Sequence, residues 1–169
     1  MSTFVSVGNA TQPFRRLLDA ACAVAARLPQ PVTIQHGAAT AFRCATCETT
    51  AFLDMEAYGR RVSEASLLIL HAGAGSVIHA IRAGKVPVVM PRRARFGEHI
   101  DDHQVEFARE LERLGRIVLC DDAAQLDAAA ACALARQREA IAVPEVPVLV
   151  GEIRELIRQH AQDIRTATG

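Results

Sequence analysis

The stretch LLILHAGAGSVIHAIRAGKVPVVMP, residues 67–91, decides the fold of this chain. A short apolar run, Leu67 to Leu70, precedes a glycine turn, an amphipathic segment and a second apolar run at residues 86–90. Short, continuously apolar runs are typical of buried parallel strands, and apolar residues at three- and four-residue spacing are typical of a helix. The stretch therefore predicts a strand, a glycine turn, a helix and a second, parallel strand.

The same alternation continues on both sides of this stretch. It predicts strands at residues 3–7, 32–35, 49–53, 67–70, 86–90 and 116–120, and helices at residues 14–28, 55–65, 76–83, 101–114 and 122–140. Strands that alternate with helices predict an α/β, Rossmann-like, doubly wound parallel sheet. Ligands of such sheets bind beyond the carboxyl ends of the strands, so site residues are expected in the loops that follow strands.

The length of 169 residues fits one domain, which we place at residues 1–141. Residues 142–147, AVPEVP, contain two prolines and predict a linker. Residues 148–169 carry apolar side chains at helical spacing and predict an amphipathic C-terminal helix. That helix packs either on its own sheet or on a partner chain.

Composition and charge restrict the class of protein. Half of the residues are hydrophobic and 22% are charged, which is typical of a folded protein. Lys plus Arg equals Asp plus Glu at 19 each, so net charge gives no reason to expect nucleic-acid binding. The apolar runs are too short to cross a bilayer and the N-terminus lacks a secretion signal pattern, so a cytoplasmic location is expected.

Five cysteines at irregular spacing do not resemble a disulfide framework. They predict free thiols in a reducing compartment. Cys44 and Cys47 have the spacing of half a zinc site or of a redox pair, but no second such pair accompanies them. Structural, unligated cysteines are the simpler interpretation.

The glycine turn, HAGAGS at residues 71–76, predicts an anion site. A nicotinamide-dinucleotide fingerprint would need a third glycine where Ile78 stands, and a phosphate-binding loop with Gly-Lys-Ser/Thr is absent as well. A strand end, two glycines and a helix that opens at Ser76 would still direct N–H groups and a positive dipole end toward a phosphate. A tight turn without a ligand is the alternative.

A second polar cluster, PRRARFGEHIDDHQ at residues 91–104, follows the next predicted strand. Its three arginines, Arg92, Arg93 and Arg95, could neutralise a diphosphate, and His103 and Gln104 offer donors and acceptors for sugar hydroxyls. Solvated loop charges are the alternative for each arginine. The two clusters together favour a site for a nucleotide sugar.

These motifs resemble a known family. HAGAGS, GKVP at residues 84–87, PRR at 91–93, GEH at 97–99 and DDHQ at 101–104 are similar to the C-terminal, donor-binding domain of glycosyltransferase family 28. The opening FVSVGNATQPFRRLL, residues 4–18, resembles the family's first strand, turn and helix. The similarity is greatest to small stand-alone subunits of two-component enzymes, in eukaryotic dolichol-linked N-acetylglucosamine transfer and in bacterial exopolysaccharide synthesis.

The resemblance implies a single half of a GT-B fold and a role for each matching residue. Residues implied to bind the donor nucleotide and its diphosphate are Gly8, Asn9, His71, Gly73, Ala74, Gly75, Ser76 and Arg92. Residues implied to bind the donor sugar are Asp102, His103 and Gln104. Several relatives hold the ribose with a Glu where this chain has His79, which leaves the identity of the sugar nucleotide open.

The resemblance further implies a hexosyltransferase that moves a sugar, from a UDP-sugar in the first instance, to a lipid-linked saccharide in polysaccharide or glycoconjugate synthesis. A membrane-associated partner subunit would bind the acceptor and recruit the chain to the inner face of the membrane, whereas the isolated chain could form a homodimer. Two other classes stay open: a non-catalytic nucleotide-sugar-binding regulatory protein, and an epimerase or hydrolase of related fold.

Such a transfer needs stabilisation of the leaving diphosphate and a base for the acceptor hydroxyl. A helix dipole and Arg92 would stabilise the leaving group without a metal or another cofactor. Asp101 and Asp102 point about 100° apart on a helix, which makes them a poor metal clamp. Glu98 and His99 are the candidate catalytic bases, and a base on the partner subunit is the alternative.

Overall fold

The computed structural model describes residues 1–140. Its strands are β1 (Thr3–Ser6), β2 (Val32–Gln35), β3 (Glu48–Thr50), β4 (Leu67–His71), β5 (Val88–Met90) and β6 (Val118–Leu119). Its helices are α1 (Arg15–Val24), α2 (Met55–Glu64), α3 (Ala74–Arg82), α4 (His103–Arg113) and α5 (Leu126–Ala140).

All six strands lie in one parallel sheet in the order β3-β2-β1-β4-β5-β6. This is the strand order of a doubly wound Rossmann-like sheet, so the predicted fold class is confirmed. The order reverses between β1 and β4, where Val5 pairs with Ile69. A crevice opens at the carboxyl edge wherever the order reverses in this way, because the loops after the two central strands leave toward opposite faces.

Helices cover both faces of the sheet. On one face Val5 and Ile69 pack in the same cluster as Leu17 of α1 and Ala130 of α5. On the other face Phe4, Leu68 and Leu70 pack with residues of α2 and α3, and α4 adds a further cluster beside them. Because alternate residues of a strand point to opposite faces, the continuously apolar strands supply both cores at once.

The helices at the carboxyl edge begin in different ways. Helix α2 has a side-chain cap, since Asp54 Oδ1 accepts a hydrogen bond of 2.7 Å from the N–H of Ala57. Helix α3 begins at Ala74 after Gly73, and within the described residues no side chain caps it. The first N–H groups of a helix have no partner inside the helix, so the amino end of α3 is available to a ligand.

Several predicted boundaries are corrected. Helix α3 starts two residues before the predicted Ser76. The strand predicted from residue 86 starts at Val88, because Pro87 has no N–H and the N–H of Val86 donates to the Gln137 side chain. The predicted linker at residues 142–147 and the C-terminal helix at 148–169 lie outside the described residues.

The prediction of free thiols is wrong for two of the five cysteines. Cys22 of α1 and Cys44 form a disulfide, with their Cα atoms 5.9 Å apart. The loop that follows β2 folds back over α1, where Phe42 also lies 5.6 Å beneath the Arg15 guanidinium. This approach depends on packing between segments 22 residues apart, and the cysteine spacing gave no sign of it. Across residues 1–140 no helix is long and apolar enough to cross a membrane.

Candidate functional site

A cavity of about 350 Å³ lies at the carboxyl edge of the sheet, at the point where the strand order reverses. We call it the switch-point pocket. Seven of its lining residues were predicted from the sequence: Gly8, Asn9, His71, Gly73, Ala74, Gly75 and Ser76. Its other lining residues are Gln35, Leu53, Met55, Tyr58 and His79. The structure therefore brings the first loop and the glycine turn together, as the sequence predicted.

The two glycines of the turn have different neighbours. A Cβ atom on Gly73 would lie 2.1 Å from Nε2 of His71, far inside van der Waals contact. A Cβ atom on Gly75 would meet no heavy atom within 4 Å. A Cβ atom on Gly8 would lie 2.4 Å from Cε1 of the same imidazole. His71 thus needs glycine at positions 8 and 73, whereas Gly75 leaves space in the pocket.

His71 is a neutral group in the floor of this pocket. The residue is only 8% exposed, and its Nδ1 has no hydrogen-bond partner within the described residues. Burial, together with the charges of Arg92 and His99, lowers the pKa of His71 to about 4. The imidazole is therefore uncharged near pH 7, and it offers a buried ring nitrogen rather than a cation.

Tyr58 of α2 forms the wall opposite the turn. Its hydroxyl lies near the side chains of Ser76 and Ser6, which partly offset the effect of burial on its pKa, and within residues 1–140 it makes no hydrogen bond of standard geometry. Burial raises the pKa of Tyr58, so the phenol stays protonated and can act as a donor. The edge of the Tyr58 ring contacts the imidazole of His79, with ring centroids 5.9 Å apart. An unpaired hydroxyl beside an uncapped helix terminus is suited to a polar, anionic ligand.

Hydrogen bonds from β1 and β2 hold the first loop. Gly8 has a φ of +73°, a conformation that favours glycine, and its N–H donates to Ser6 Oγ at 3.3 Å. The Ser6 hydroxyl donates to Gln35 Oε1 at 2.8 Å, and Gln35 Nε2 donates to Asn9 Oδ1 at 3.4 Å. The polar ends of these two strands thus fix the backbone that faces the glycine turn.

Arg92 lies behind that loop instead of facing the pocket. The residue is fully buried, and its guanidinium donates to the carbonyl oxygens of Val7 at 2.8 Å, Gln12 at 2.7 Å and Glu98 at 3.0 Å. It also stacks over the Phe14 ring at 4.8 Å. This placement argues against the predicted direct contact with a diphosphate, because both Nη atoms of Arg92 are already directed at backbone carbonyls and its remaining donor, Nε, is buried without a partner in the described residues.

Glu98, one of the two predicted bases, is also in the interior. It is 4% exposed, and its carboxylate accepts two bonds from Arg16, at 2.8 and 3.0 Å, and one from the N–H of Arg93 at 2.9 Å. The Arg16 guanidinium also donates a hydrogen bond of 2.7 Å to the carbonyl oxygen of Pro91. A carboxylate held by three donors supports the loop, and this position argues against a role as the base.

His99, the other predicted base, keeps a partly exposed side chain. Its Nδ1 lies 3.0 Å from Asp101 Oδ1 and accepts a long bond of 3.4 Å from the N–H of Asp101. In the tautomer that carries the proton on Nδ1, the carboxylate is its acceptor and Nε2 is left to take a proton. The charge of His99 contributes, after burial and Arg92, to the lowered pKa of His71. His99 is outside the lining of the switch-point pocket, in the loop between β5 and α4.

The predicted sugar-binding residues lie at the amino end of α4, outside the pocket lining. Asp102 Oδ1 accepts from the N–H of Ala94 at 2.9 Å, and Gln104 Oε1 accepts from the N–H of Arg92 at 3.2 Å. The N–H of His103 donates to Asp101 Oδ1 at 3.1 Å. Some of the side-chain oxygens of this segment therefore accept hydrogen bonds from its own loop and stabilise that loop.

Sequence reasoning missed most of the second wall of the pocket, which is formed by Gln35, Leu53, Met55, Tyr58 and His79. Only position 79 was indicated, by the resemblance, as the place where relatives hold the ribose. Gln35 carried a usable signal, because it is a polar residue at the carboxyl end of a buried strand. Tyr58 and His79 lie on helices, where a polar side chain usually faces solvent. Only the contact between α2 and α3 turns them toward the ligand side.

Comparisons with known proteins agree with this geometry. The model of the glycosyltransferase family 28 C-terminal domain matches residues 2–145. UDP-N-acetylglucosamine transferase subunit ALG13 of Yarrowia lipolytica is 43% identical over 61 residues, which cover 36% of this chain and 29% of that protein.

Two solved structures have a similar fold. The glycotransferase of kitacinnamycin has a TM-score of 0.61 at 18% identity, with 82% of this chain and 37% of that chain covered. Acinetobacter baumannii MurG has a TM-score of 0.51 at 25% identity, with 70% of this chain and 35% of that chain covered. The chain thus spans only about a third of the length of the proteins it matches.

The family model covers most of the chain, and the glycine turn and first loop that carried the resemblance form one pocket. This chain therefore belongs to the glycosyltransferase family 28 C-terminal domain family.

Proposed function

We propose that this chain is the donor-binding subunit of a two-component glycosyltransferase and that the switch-point pocket holds the nucleoside diphosphate of a UDP-sugar. One observation carries the proposal: the uncapped amino end of α3 opens into a cavity beside the unpaired Tyr58 hydroxyl and the unpaired Nδ1 of His71. Uncapped helix N–H groups and the helix dipole favour an anion, and buried polar groups without partners favour a ligand that supplies them.

The volume of the pocket agrees with a ligand larger than phosphate. A cavity of about 350 Å³ is within the range of sites for nucleotide-sized molecules. Leu53, Met55 and Tyr58 give its outer wall apolar surface, which suits a base, whereas the turn supplies polar groups for the diphosphate. UDP is the proposed nucleotide because the ALG13 relative is described as a UDP-N-acetylglucosamine transferase subunit.

In the proposed reaction the sugar moves from the diphosphate to an acceptor hydroxyl. Negative charge develops on the departing diphosphate, and the N–H groups at the start of α3 stabilise it most where they are already oriented. His99, oriented by Asp101, is the proposed base if this chain supplies one. No step requires Glu98 to exchange a proton, since its carboxylate is paired inside the protein.

The proposed partner is a membrane-associated subunit that binds a lipid-linked saccharide acceptor at the cytoplasmic face of the membrane. Large exposed apolar side chains flank the pocket: Phe52 and Met55 after β3, and Phe96 and Ile100 after β5. Four strand spacings separate β3 from β5, or about 19 Å, so a protein surface that closes over the pocket would contact both pairs. The ALG13 relative is likewise described as a subunit.

Ligand binding to the full chain tests the donor proposal. In calorimetry with UDP, GDP, ADP and NAD, we expect the chain to bind UDP. The Ser76→Arg variant is expected to lose UDP binding, because the arginine side chain would fill the space at the start of α3. Ser63→Arg is the matched control, because Ser63 is an exposed residue of α2 outside the pocket lining. Binding of NAD without UDP, or equal UDP binding by both variants, would refute the proposal.

A transfer assay tests the partner. The full chain, membranes of its source cells and a labelled UDP-sugar are expected to yield lipid-extractable label, whereas the chain without membranes is not. Ile100→Asp is expected to lower this transfer while leaving the UDP Kd unchanged, because Ile100 is 84% exposed in the loop after β5 and is not part of the pocket lining. Tight UDP binding without transfer to any membrane component would favour a regulatory nucleotide-sugar-binding protein instead.

A further inference from the structure

Arg92 is the largest fully buried side chain of the described residues, and its cation lies directly behind the wall of the switch-point pocket. We propose that Arg92 is a positioning residue, which holds the first loop, with Gly8 and Asn9, in the conformation that binds the donor. The proposal rests on the proposed function only in its last step, because the positioning of the loop is a property of the free protein.

One planar group ties both ends of the loop. Nη2 of Arg92 donates to the carbonyl of Val7, immediately before Gly8, and Nη1 donates to the carbonyl of Gln12, beyond the turn. Nη1 also donates to the carbonyl of Glu98, in the loop that follows β5. We call these three bonds the Arg92 clamp. Because a guanidinium is flat and rigid, the clamp fixes the two ends of residues 8–11 relative to each other.

The chemistry of the site explains why an arginine is needed. Burial of a cation is costly unless its donors are satisfied, and burial lowers the pKa of Arg92. The nearby carboxylate of Glu98 pairs with Arg16 instead. Nη1 and Nη2 of Arg92 are therefore stabilised by three backbone carbonyls, and the guanidinium lies over the Phe14 ring, whereas its buried Nε has no hydrogen-bond partner within the described residues. A lysine could not reach the same three acceptors from one nitrogen.

The other contacts of the loop are weaker. The distance from the Gly8 nitrogen to Ser6 Oγ is 3.3 Å, and the distance from Gln35 Nε2 to Asn9 Oδ1 is 3.4 Å. Both distances are long for hydrogen bonds. The clamp bonds to Val7 and Gln12 are 2.7–2.8 Å and carry a charged donor. Without the clamp, Gly8 would be free to leave His71, and the pocket would lose one wall.

The charge of Arg92 also reaches the pocket. After burial, it is the next cause that lowers the pKa of His71, which lies in the pocket floor. A buried positive charge behind the first loop adds a favourable potential for a diphosphate without touching it. Arg92 thus acts on the donor through the backbone of the loop and through its field.

The closing experiment compares Arg92→Lys and Arg92→Met with Arg136→Met in the full chain. Arg136 is a matched control, because its guanidinium donates to the carbonyls of Gly115 and Ile117 at the opposite, amino edge of the sheet. The UDP Kd, the Tm and the amide NMR signals of Gly8 and Asn9 are measured for each variant. A residue with a purely structural role would change the Tm without changing the other two.

We expect both Arg92 variants to bind UDP at least about tenfold more weakly, with shifted Gly8 and Asn9 signals and faster amide exchange in the loop. Arg136→Met is expected to lower the Tm and keep the UDP Kd within about twofold. A folded Arg92→Lys that keeps both the Kd and the Gly8 signal would overturn the proposal.

Two further results complete the test. If the wild type does not bind UDP, the proposed function fails, and the loop signals of the Arg92 variants still decide whether the clamp positions the loop. If neither variant folds, the guanidinium NMR signals of the wild type decide: Arg92 protons that are resolved and protected from exchange support the clamp, and a freely rotating, averaged signal overturns it.

Discussion

The glycine turn after β4 and the loop after β5, residues 91–102, look equally functional in the sequence and differ in the fold. The turn leaves the start of α3 uncapped by any described side chain and faces a cavity. Three charged side chains of the loop bind other groups of the protein. Arg92 donates to three backbone carbonyls, Glu98 forms an ion pair with Arg16, and Arg93 forms an ion pair with Asp121 at 2.8 Å. A cluster of polar residues in the sequence can therefore be either a ligand site or the set of buried hydrogen bonds that supports one.

Glu98→Gln tests the framework side of this comparison with the largest expected effect. It leaves the Arg16 cation, 17% exposed, without its counter-charge and should lower the free energy of unfolding by about 3–5 kcal/mol. Urea unfolding measures the loss. Asp127→Asn, in the exposed Arg27 ion pair, is the control and should cost less than about 1 kcal/mol. An unchanged stability with lost transferase activity would restore Glu98 as a base.

The pH dependence of stability tests the neutral floor of the ligand site. The pKa of His71 is about 4 in the folded chain against 6.5 for an ordinary histidine, so the unfolded chain takes up the proton first as the pH falls. Stability should thus decrease between pH 6.5 and about 4, by about 3 kcal/mol for this group. His71→Gln should remove that part of the slope in urea unfolding. Parallel curves for both proteins would contradict the assignment.

Two glycine substitutions sharpen the comparison inside the turn. Gly73→Ala should cost about 1–3 kcal/mol, because its Cβ would lie 2.1 Å from the buried His71 ring. Gly75→Ala should keep or slightly raise the Tm, since its Cβ meets nothing and alanine favours a helix by up to about 1 kcal/mol. UDP titration should nevertheless show weaker binding by Gly75→Ala. Equal Tm values for the two variants would argue against the packing of His71.

The smallest effect is expected for Arg95, which is exposed and stacks on Phe96 at 4.6 Å. Arg95→Ala should change the free energy of unfolding by less than about 0.5 kcal/mol and the UDP Kd by no more than about twofold. Calorimetry of the variant measures both. A large loss of UDP affinity would mean that this loop contributes a direct phosphate contact after all.

The fold was largely predictable because most strands are rich in apolar residues and most helices have apolar residues at three- and four-residue spacing. Strand β3, with the sequence ETT, is an exception, and it starts one residue before the predicted range 49–53. The central strands were recognisable although they show no alternation of apolar and polar residues, because parallel strands are buried on both faces and are apolar throughout. Boundaries were less predictable: α1 ends early in a 3₁₀ turn at Ala25–Arg27, and the late start of β5 depends on Pro87 and on the side chain of Gln137 from α5. Such local endings are decided by neighbours distant in the sequence.

Half of the site was predictable in the same way. Gly8, Gly73 and Ser76 follow strands, so the topology alone brings them together. Tyr58 could not be predicted, because it lies on a helix whose rotation about its axis is set by packing, and its neighbour His79 was indicated only by the resemblance. The same limit applies to Cys22 and Cys44, whose pairing needs the loop after β2 to fold over α1.

The sequence by itself determined the order of strands and helices, the family, and the place where a ligand should bind, because these depend on periodicity and on residues at strand ends. Only the tertiary structure decided which charged residues face that ligand. Arg92 and Ser76 are both polar residues near strand ends, yet burial commits the first to three carbonyls and leaves the second at an open helix terminus. The physical reason is that a buried charge must satisfy its donors, and the nearest acceptors come from segments far away in the chain.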